Sequence, residues 1–507
     1  MNKINIGRKY LFPIVLVALT LSFGACDKFL DKAPLDSVNT DNFWRTESDA
    51  ISAINGAYQP LQWPKLYNLR IWTTDIWAGN SIVGAGGGTD GIETQDIANF
   101  VTSTDNATAL DVWRGPAPGI LRCNLVLQNV PDMDIKESTK SRVLGEAYFL
   151  RASYYFILVR LFGEVPLITT PLNPGDDLRQ PRASKEAIYE VIKSDFTKAI
   201  DLLPSKSTYV GADIGRANKG AAIGMLAKVY LTLGDYQKTA ELCQQLEGEG
   251  FALNANYSNN FNPATKNSTE SLFEIQYLGK TNFSFWDNEN QASWCSAFMG
   301  PRNADFVDGG YGWNQPTQEF VDAYEAGDLR KDITVLYDGC PQFDGKDYSP
   351  AYSNTGYNVR KFIVDKNVTQ GAYDNNPSNF PVLRYSDVLL MYAEALNETG
   401  RTQEAQATAT DINSGGPLNR VRMRAGLANV SGLSQQELRE KIQHERRMEL
   451  AFEGHRWFDM VRTNNGQYAL DFLHSIGKSN AAAKHLLLPI PQKEIDSNPN
   501  LSQNPGY

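Results

Sequence analysis

The chain has 507 residues and a formal net charge of −10, because 58 acidic residues outnumber 48 basic ones. Nucleic-acid binding depends on neutralising backbone phosphates with lysine and arginine, so this acidic balance argues against DNA or RNA as a partner. The hydrophobic content of 42% is ample for a large core. The length predicts either several domains or one large domain with an elaborated face.

The first 25 residues have the pattern of a secretory signal peptide. Three basic residues precede an apolar run, Tyr10 to Phe23, which is shorter than the about 20 residues that a membrane span needs. A Gly-Ala pair then leads to Cys26. This pattern is typical of a lipoprotein signal, and we predict that Cys26 is the lipidated N-terminus, with ordinary cleavage nearby as the alternative. Residues 26–45 are expected to be a lipid-anchored tether and the entry into the fold.

Helical periodicity dominates the segments that follow. In "SRVLGEAYFLRASYYFILVRLFGEVP" (141–166) apolar residues recur every three or four positions, which predicts one buried stripe that ends near Gly163. The same spacing in "LRYSDVLLMYAEALNETG" (383–400) predicts a helix that ends at Gly400.

Two of the predicted helices begin a similar layout. Ala227 precedes Gly234 by seven residues, Ala393 precedes Gly400 by seven, and a second helical segment is expected after each glycine. Small residues allow helices to pack closely, as in tetratricopeptide hairpins. Coincidence among ordinary helical hairpins is the alternative. We predict a single, mainly α-helical domain over residues 46–507.

Between these hairpins the helical period fades over residues 251–380. Aromatic side chains make up 23 of these 130 residues, well above the 11% of the whole chain. A second irregular segment, "RIWTTDIWAGNSIVGAGGGTDG" (70–91), contains two tryptophans and a glycine cluster. Long irregular segments usually carry function. We therefore expect the 251–380 segment to be a ligand face.

The remaining cysteines give no sign of a metal or redox site, because no two are spaced as CxxC. Cys123 and Cys243 lie in helical patterns and are expected to be small buried residues. Cys295 and Cys340 lie in irregular regions and could form a disulfide. No cofactor and no metal site are predicted.

A search for catalytic motifs also finds none that is complete. "HERRM" (444–448) starts like a zinc-binding helix but lacks the second histidine. Carboxylate pairs for glycoside hydrolysis stay open, since the many acidic residues offer no unique choice. In the charged segment 445–459 we predict a structural role, in which ion pairs within and between helices are formed by Glu445, Arg446, Glu449, Glu453, Arg456 and Asp459.

Several segments together resemble the SusD/RagB-like family of surface glycan-binding lipoproteins from starch-utilisation-type systems. The resemblance is carried by "EAYFLRASYYFILVRLFGEVPLIT" (146–169), "LRYSDVLLMYAEALNETG" (383–400), "LNRVRMRAGL" (418–427), "ERRMELAFEGHRWFDMVR" (445–462) and "LLLPIPQKEIDSNPNLSQNPGY" (486–507). It implies a helical tetratricopeptide-like scaffold and a lipid-anchored location on the outer surface of the outer membrane. It also implies a SusC-like, TonB-dependent transporter as partner and no enzymatic activity.

The function expected from this resemblance is capture of oligosaccharides for uptake. Capture of oligopeptides is the runner-up, and a secreted lipoprotein hydrolase is a less favoured alternative. Sugar rings stack on flat apolar side chains, so we predict an exposed aromatic platform made by the two irregular segments. Its candidate residues are Trp72, Trp77, Trp286, Trp294, Tyr311 and Trp313. Nearby groups that could bond sugar hydroxyls are Asn288, Asn290, Gln291, Arg302, Asn303 and Asp305.

Overall fold

The structure is a computed structural model of the chain, and it describes residues 43–84, 89–173, 175–279, 284, 287 and 290–507. The predicted signal peptide, Cys26, most of the tether, Trp286 and Asn288 lie outside the described residues. The helices are α1 (Glu47–Tyr58), α2 (Thr74–Trp77), α3 (Ile92–Ala98), α4 (Ala107–Arg114), α5 (Ala117–Asn129), α6 (Glu137–Phe162), α7 (Lys185–Leu202), α8 (Lys219–Leu233), α9 (Tyr236–Leu246), α10 (Cys295–Met299), α11 (Gln318–Asp322), α12 (Lys331–Thr334), α13 (Lys366–Thr369), α14 (Tyr385–Glu398), α15 (Thr402–Ala405), α16 (Pro417–Arg424), α17 (Gln435–Glu449), α18 (Arg456–Arg462), α19 (Gln467–Ser475) and α20 (Gln492–Ser497).

Strands are short and pair only in twos within the described chain. They are β1 (Ser81–Ile82), β2 (Val165–Pro166), β3 (Arg182–Ala183), β4 (Ser271–Ile275), β5 (Gln315–Pro316), β6 (Val335–Leu336), β7 (Asn358–Val359) and β8 (Phe380–Arg384). The antiparallel pairs are β1–β5, β2–β3, β4–β8 and β6–β7. The prediction of a mainly α-helical fold is confirmed.

Helix α6 shows how the predicted stripe becomes core. Leu150 is completely buried, and so is nearly the whole C-terminal half of the helix. Gly163 follows the last turn at φ +72°, a backbone conformation that other residues rarely adopt, and its N–H donates to the Val159 carbonyl. The helix therefore ends where the sequence predicts. No helix within the described ranges is long and apolar enough to cross a membrane.

The two predicted hairpins differ in the structure. Helices α8 and α9 form the first, with Gly234 at φ +76° in the turn between them. The second hairpin is shorter than predicted, since Gly400 is followed by α15, a single turn. The sequence after α15, "QATATDINSGG", is rich in residues that favour turns over helices. There the Gly416 N–H donates to the Ala407 carbonyl, which folds the chain back before α16.

The predicted ionic segment lies in the core. The single guanidinium of Arg384 pairs with three carboxylates: Glu270 at 2.7 Å, Glu449 at 2.9 Å and Glu453 at 2.7 Å. The predicted ion pairs of segment 445–459 are confirmed for Glu445, Arg446, Glu449, Glu453 and Asp459, but not for Arg456. The guanidinium of Arg456 lies over aromatic rings and has no carboxylate oxygen within 4.0 Å in the described part of the chain.

The four cysteines of the described chain are free and buried. This confirms the prediction for Cys123 and Cys243. The possible disulfide between Cys295 and Cys340 is not formed, because Cys295 belongs to the main hydrophobic core and Cys340 to a separate small cluster. Burial raises the pKa of the Cys295 thiol to about 12.

Candidate functional site

The two irregular segments meet through residues that are more than 200 positions apart in sequence. Strand β1 pairs with β5, so that Ser81 lies opposite Pro316. A few residues further on, the carboxylate of Asp90 pairs with the guanidinium of Arg302 at 2.7 Å. The predicted joining of these segments into one surface is therefore observed.

Five aromatic side chains gather where the segments meet, and we call them the aromatic cluster: Trp294, Phe298, Tyr311, Trp313 and Tyr373. The ring of Phe298, in helix α10, is central. Its centroid lies 5.3 Å from that of Trp294 in a nearly parallel stack and 5.3 Å from that of Trp313 in a perpendicular contact. Tyr311 lies 5.2 Å from Phe298, and Tyr373 lies 6.5 Å beyond Tyr311. The cluster thus runs from the core to the surface.

Exposure rises along that line and contradicts part of the predicted platform. Trp72 and Trp77 are 0% exposed, and Trp294 is 2% exposed. The expectation that these three rings are exposed is wrong. They are the hydrophobic core of irregular segments that lack a periodic apolar stripe, and Trp77, for example, packs 6.2 Å from Trp457.

The surface of the cluster is made by tyrosines. Tyr311 is half-buried, and Tyr373 is 37% exposed. Trp313 is only 7% exposed. The sequence analysis missed Tyr373 and the central Phe298. The aromatic enrichment of the 251–380 segment includes both but does not distinguish them from its other aromatic residues.

Glycines and left-handed residues shape the loop that carries Tyr311 and Trp313. Between residues 303 and 314, positive φ angles occur at Asn303, Gly309, Gly310, Gly312 and Asn314. A Cβ atom on Gly309 would lie 2.9 Å from the Cβ of Tyr373, so the close approach of Tyr373 requires glycine there. Sparsely populated backbone conformations tend to concentrate at functional sites.

Polar groups border the exposed edge of the cluster. Arg302 donates from Nε to the Tyr311 carbonyl at 3.3 Å while it pairs with Asp90, which places charge beside the tyrosine. Asn303 is exposed, and the exposed Asp305 is paired with Lys346.

Two of the predicted hydroxyl-bonding residues do not border the exposed edge of the cluster. Asn290 is 5% exposed and is used internally, since its Oδ1 accepts from the Ala292 N–H at 2.8 Å. Gln291 is exposed and lines a neighbouring cleft.

The phenol of Tyr311 is neutral at physiological pH. Burial raises its pKa above the usual value of 10.0, and the neighbouring Tyr373 raises it further. A neutral phenol both donates and accepts hydrogen bonds. The exposed edge therefore combines apolar ring area with groups that can bond hydroxyls.

Comparison with known proteins shows the family and the fold of the chain. Two family models match the chain: the SusD family over residues 269–507, and a model described as starch-binding and associating with the outer membrane over residues 28–231. SusD-like protein P2 of Formosa agariphila is 30% identical over 530 aligned residues, which cover 99% of this chain and 100% of the relative. The chain belongs to the SusD/RagB-like family. A SusD-like protein of Bacteroides ovatus is 28% identical and is matched over 88% of this chain and 81% of its own length.

Solved structures of SusD-like proteins share the fold. A laminarin-binding SusD-like protein superposes with a TM-score of 0.79 at 30% identity, covering 91% of this chain and all of the other. Surface glycan-binding protein A of Bacteroides thetaiotaomicron, solved with laminarihexaose, gives a TM-score of 0.75 over 90% of this chain and 99% of its own, at 23% identity. At that identity the second likeness concerns the fold alone.

Proposed function

We propose that this SusD-like protein captures oligosaccharides at the cell surface and passes them to a SusC-like, TonB-dependent transporter. The observation that carries the proposal is the aromatic cluster, which reaches the surface at Tyr311 and Tyr373 beside the Asp90–Arg302 pair. A pyranose ring has an apolar C–H face and a rim of hydroxyls. The C–H face can stack on a tyrosine ring, and the hydroxyls can form hydrogen bonds with the flanking charged groups.

A β-glucan of the laminarin type is the ligand we propose to test first. The support is the laminarin-binding SusD-like structure, which is 30% identical to this chain and covers 91% of it. Of the six aromatic residues predicted from sequence, Tyr311 is the one we retain as a ligand-binding candidate, and we add Tyr373. The predicted exposure of Trp313 is also wrong, since its ring is only 7% exposed and packs against Phe298 in the buried part of the cluster.

We infer that the protein acts by binding and not by catalysis. Hydrolysis of a glycoside needs two carboxyl groups placed on either side of the scissile bond. Three carboxylates close to the cluster are engaged by other groups: Asp90 pairs with Arg302, Asp305 pairs with Lys346, and Asp308 accepts from the Thr369 hydroxyl at 2.5 Å.

We also propose attachment to the outer membrane through a lipid on Cys26. The family model over residues 28–231 is described as associating with the outer membrane. The apolar run before Cys26 and the small residues next to it support lipid attachment as the route. Acyl chains contribute about 0.8 kcal/mol per buried methylene, so two or three chains hold a protein durably.

Calorimetry with laminarihexaose tests the binding site. Tyr311→Ala and Tyr373→Ala should each weaken binding about tenfold or more, which corresponds to about 1.4 kcal/mol. Tyr189→Ala, which removes a half-buried tyrosine on helix α7, is the matched control and should bind like wild type. Unchanged binding in both site variants, with circular dichroism showing intact folding, would overturn the assignment. Maltohexaose and an oligopeptide pool, run in parallel, decide between ligand classes.

A further inference from the structure

Two cavities lie away from the aromatic cluster, on either side of the loop that joins α7 to α8. The first, cleft A, has a volume of about 550 Å³, and the second, cleft B, about 420 Å³. Both volumes are typical of small-molecule binding sites. The clefts share four lining residues, Ile214, Gly215, Arg216 and Phe273, so the loop separates two parts of one groove.

Lys206 lies in the wall of cleft A, and its ammonium forms no ion pair within the described ranges. Its ammonium donates to the carbonyls of Ser268 and Ser271 and lies 5.6 Å from the ring centroid of Phe251. No carboxylate oxygen lies within 4.0 Å of it in the described ranges. An ammonium has three N–H donors, so one remains for a ligand.

The other charged groups around Lys206 are engaged with each other. Arg216 pairs with Glu146 at 3.0 Å and with Asp213 at 2.7 Å. Glu249, across the cleft, accepts from the Ser205 hydroxyl at 3.2 Å and pairs with Lys219 at 3.6 Å.

Glu274, on strand β4, is the remaining carboxylate that acts on Lys206. It is occupied by the backbone N–H of Asn267 and by the side-chain amide of Asn379. Burial lowers the pKa of Lys206 to about 8, against the opposing charge of Glu274. Among the described charged side chains that line cleft A, Lys206 is the one without an ion pair, so an anion placed beside it would stabilise the ammonium.

Cleft B continues the groove from cleft A along strand β4. Its lining includes Gln276 and Gln291. The carbonyl of Gln291 accepts from the Leu278 N–H at 2.9 Å, and three residues later the Trp294 N–H donates to Asn68 Oδ1 at 2.7 Å. Cleft B therefore approaches the buried end of the aromatic cluster in sequence, and its exposed Gln291 offers an amide to a ligand in the groove.

We propose that cleft A is an anion-selective saccharide subsite in which Lys206 binds a carboxylate or sulfate group carried by the glycan. The exposed side chains of Ser207 and Thr269 supply hydroxyls next to that position, and Phe251 supplies apolar area. That the ligand is a saccharide rests on the proposed function. The position of its acidic group rests on cleft A.

Calorimetry with three oligosaccharides tests the subsite: triglucuronic acid, a sulfated laminari-oligosaccharide and neutral laminarihexaose. Lys206→Met should weaken binding of at least one acidic ligand tenfold or more and leave laminarihexaose unchanged. Comparison of the two acidic ligands shows which anion is preferred. The matched control is Lys266→Met, which also removes a partly buried ammonium bonded to a carbonyl, that of Tyr277 at 2.8 Å, but lies outside the lining of cleft A.

The pH dependence gives a second readout that a structural role would not produce. Affinity for the acidic ligand should fall between pH 7 and pH 9, because the free Lys206 loses its proton near pH 8. Lys206→Arg stays charged and should flatten the profile. Equal losses in the Lys206 and Lys266 variants, or no binding of either acidic ligand by wild type, would overturn the subsite. Loss of laminarihexaose binding alone concerns the aromatic cluster and the proposed function.

Discussion

Gly91→Ala is the substitution whose effect the structure defines most sharply. Gly91 has φ +61°, and a Cβ atom there would lie 2.5 Å from Cη2 and 2.7 Å from Cζ2 of Trp313. Ordinary carbon–carbon contacts are about 3.5–4.0 Å. Because the Trp313 ring is rigid and 7% exposed, it cannot simply turn into solvent. The ring has to shift, and the aromatic cluster has to shift with it.

Two contributions make up the expected loss of stability. A left-handed backbone costs an alanine about 1–2 kcal/mol, and overpacking a filled site costs about 1–3 kcal/mol. Gly211→Ala isolates the first contribution, because Gly211 has φ +58° and a Cβ atom there would meet nothing within 4 Å. The effect of glycine on the unfolded chain is the same in both variants and cancels in their difference.

Urea unfolding of the two variants measures that difference. Gly91→Ala should be less stable than Gly211→Ala by about 1–3 kcal/mol, which is the overpacking contribution alone. It should also bind laminarihexaose more weakly than Gly211→Ala. If the two variants differ by less than about 0.5 kcal/mol, within the usual error of additivity, the Trp313 ring moves freely and does not set the geometry of the cluster.

Four further changes test the core, the pH response and the anchor. Leu150→Ala should lower the free energy of unfolding in urea by about 2–5 kcal/mol, since the side chain is completely buried. Arg384→Met should cost about 3–5 kcal/mol in the same assay, because it breaks the buried ion pairs with Glu270, Glu449 and Glu453 at once; a loss below 1 kcal/mol would contradict this. Burial alone would raise the pKa of Asp459, but two neighbouring guanidiniums hold this pKa at about 2. The contribution of Asp459 to folding stability is therefore complete above pH 4 and is lost as the pH falls through 2. The stability advantage of wild type over Asp459→Asn should therefore shrink by about 1 kcal/mol between pH 6 and pH 3, and a constant advantage would contradict the lowered pKa. Cys26→Ala should leave the membrane fraction, and its persistence there after a high-salt wash would refute the lipid anchor.

The helices were predictable from sequence because apolar residues spaced three or four positions apart lie on the same face of a helix. The spacing around Leu150 fixes the face of α6, and Gly163 and Gly234 mark helix ends through backbone angles that their neighbours cannot adopt. The second hairpin shows the limit of this reasoning. The same seven-residue spacing precedes Gly400, yet the turn-forming sequence after α15 stops the next helix.

The place of the aromatic cluster was predictable as a region but not residue by residue. The irregular segments 70–91 and 251–380 were predicted to form one surface, and they meet in the structure. Whether a particular ring faces water depends on a partner far away in sequence. Trp72 is covered by Phe298, 226 positions later, at 6.4 Å. Tyr373 is exposed because it lies at the outer end of the same cluster. No local pattern contains that information.

The buried ions explain how a regular scaffold holds an irregular face in place. Arg384 ends strand β8, which pairs with β4 near the other end of the 251–380 segment. Its guanidinium binds Glu270, directly before β4, and Glu449, the last residue of α17. Both ends of the segment are thereby fixed to one helix of the scaffold. Buried ion pairs add little net stability over apolar packing. A buried charge without its partner is costly, however, so few other positions of the segment on the scaffold keep all of these charges paired. The position of the aromatic cluster thus depends on charges that never contact a ligand.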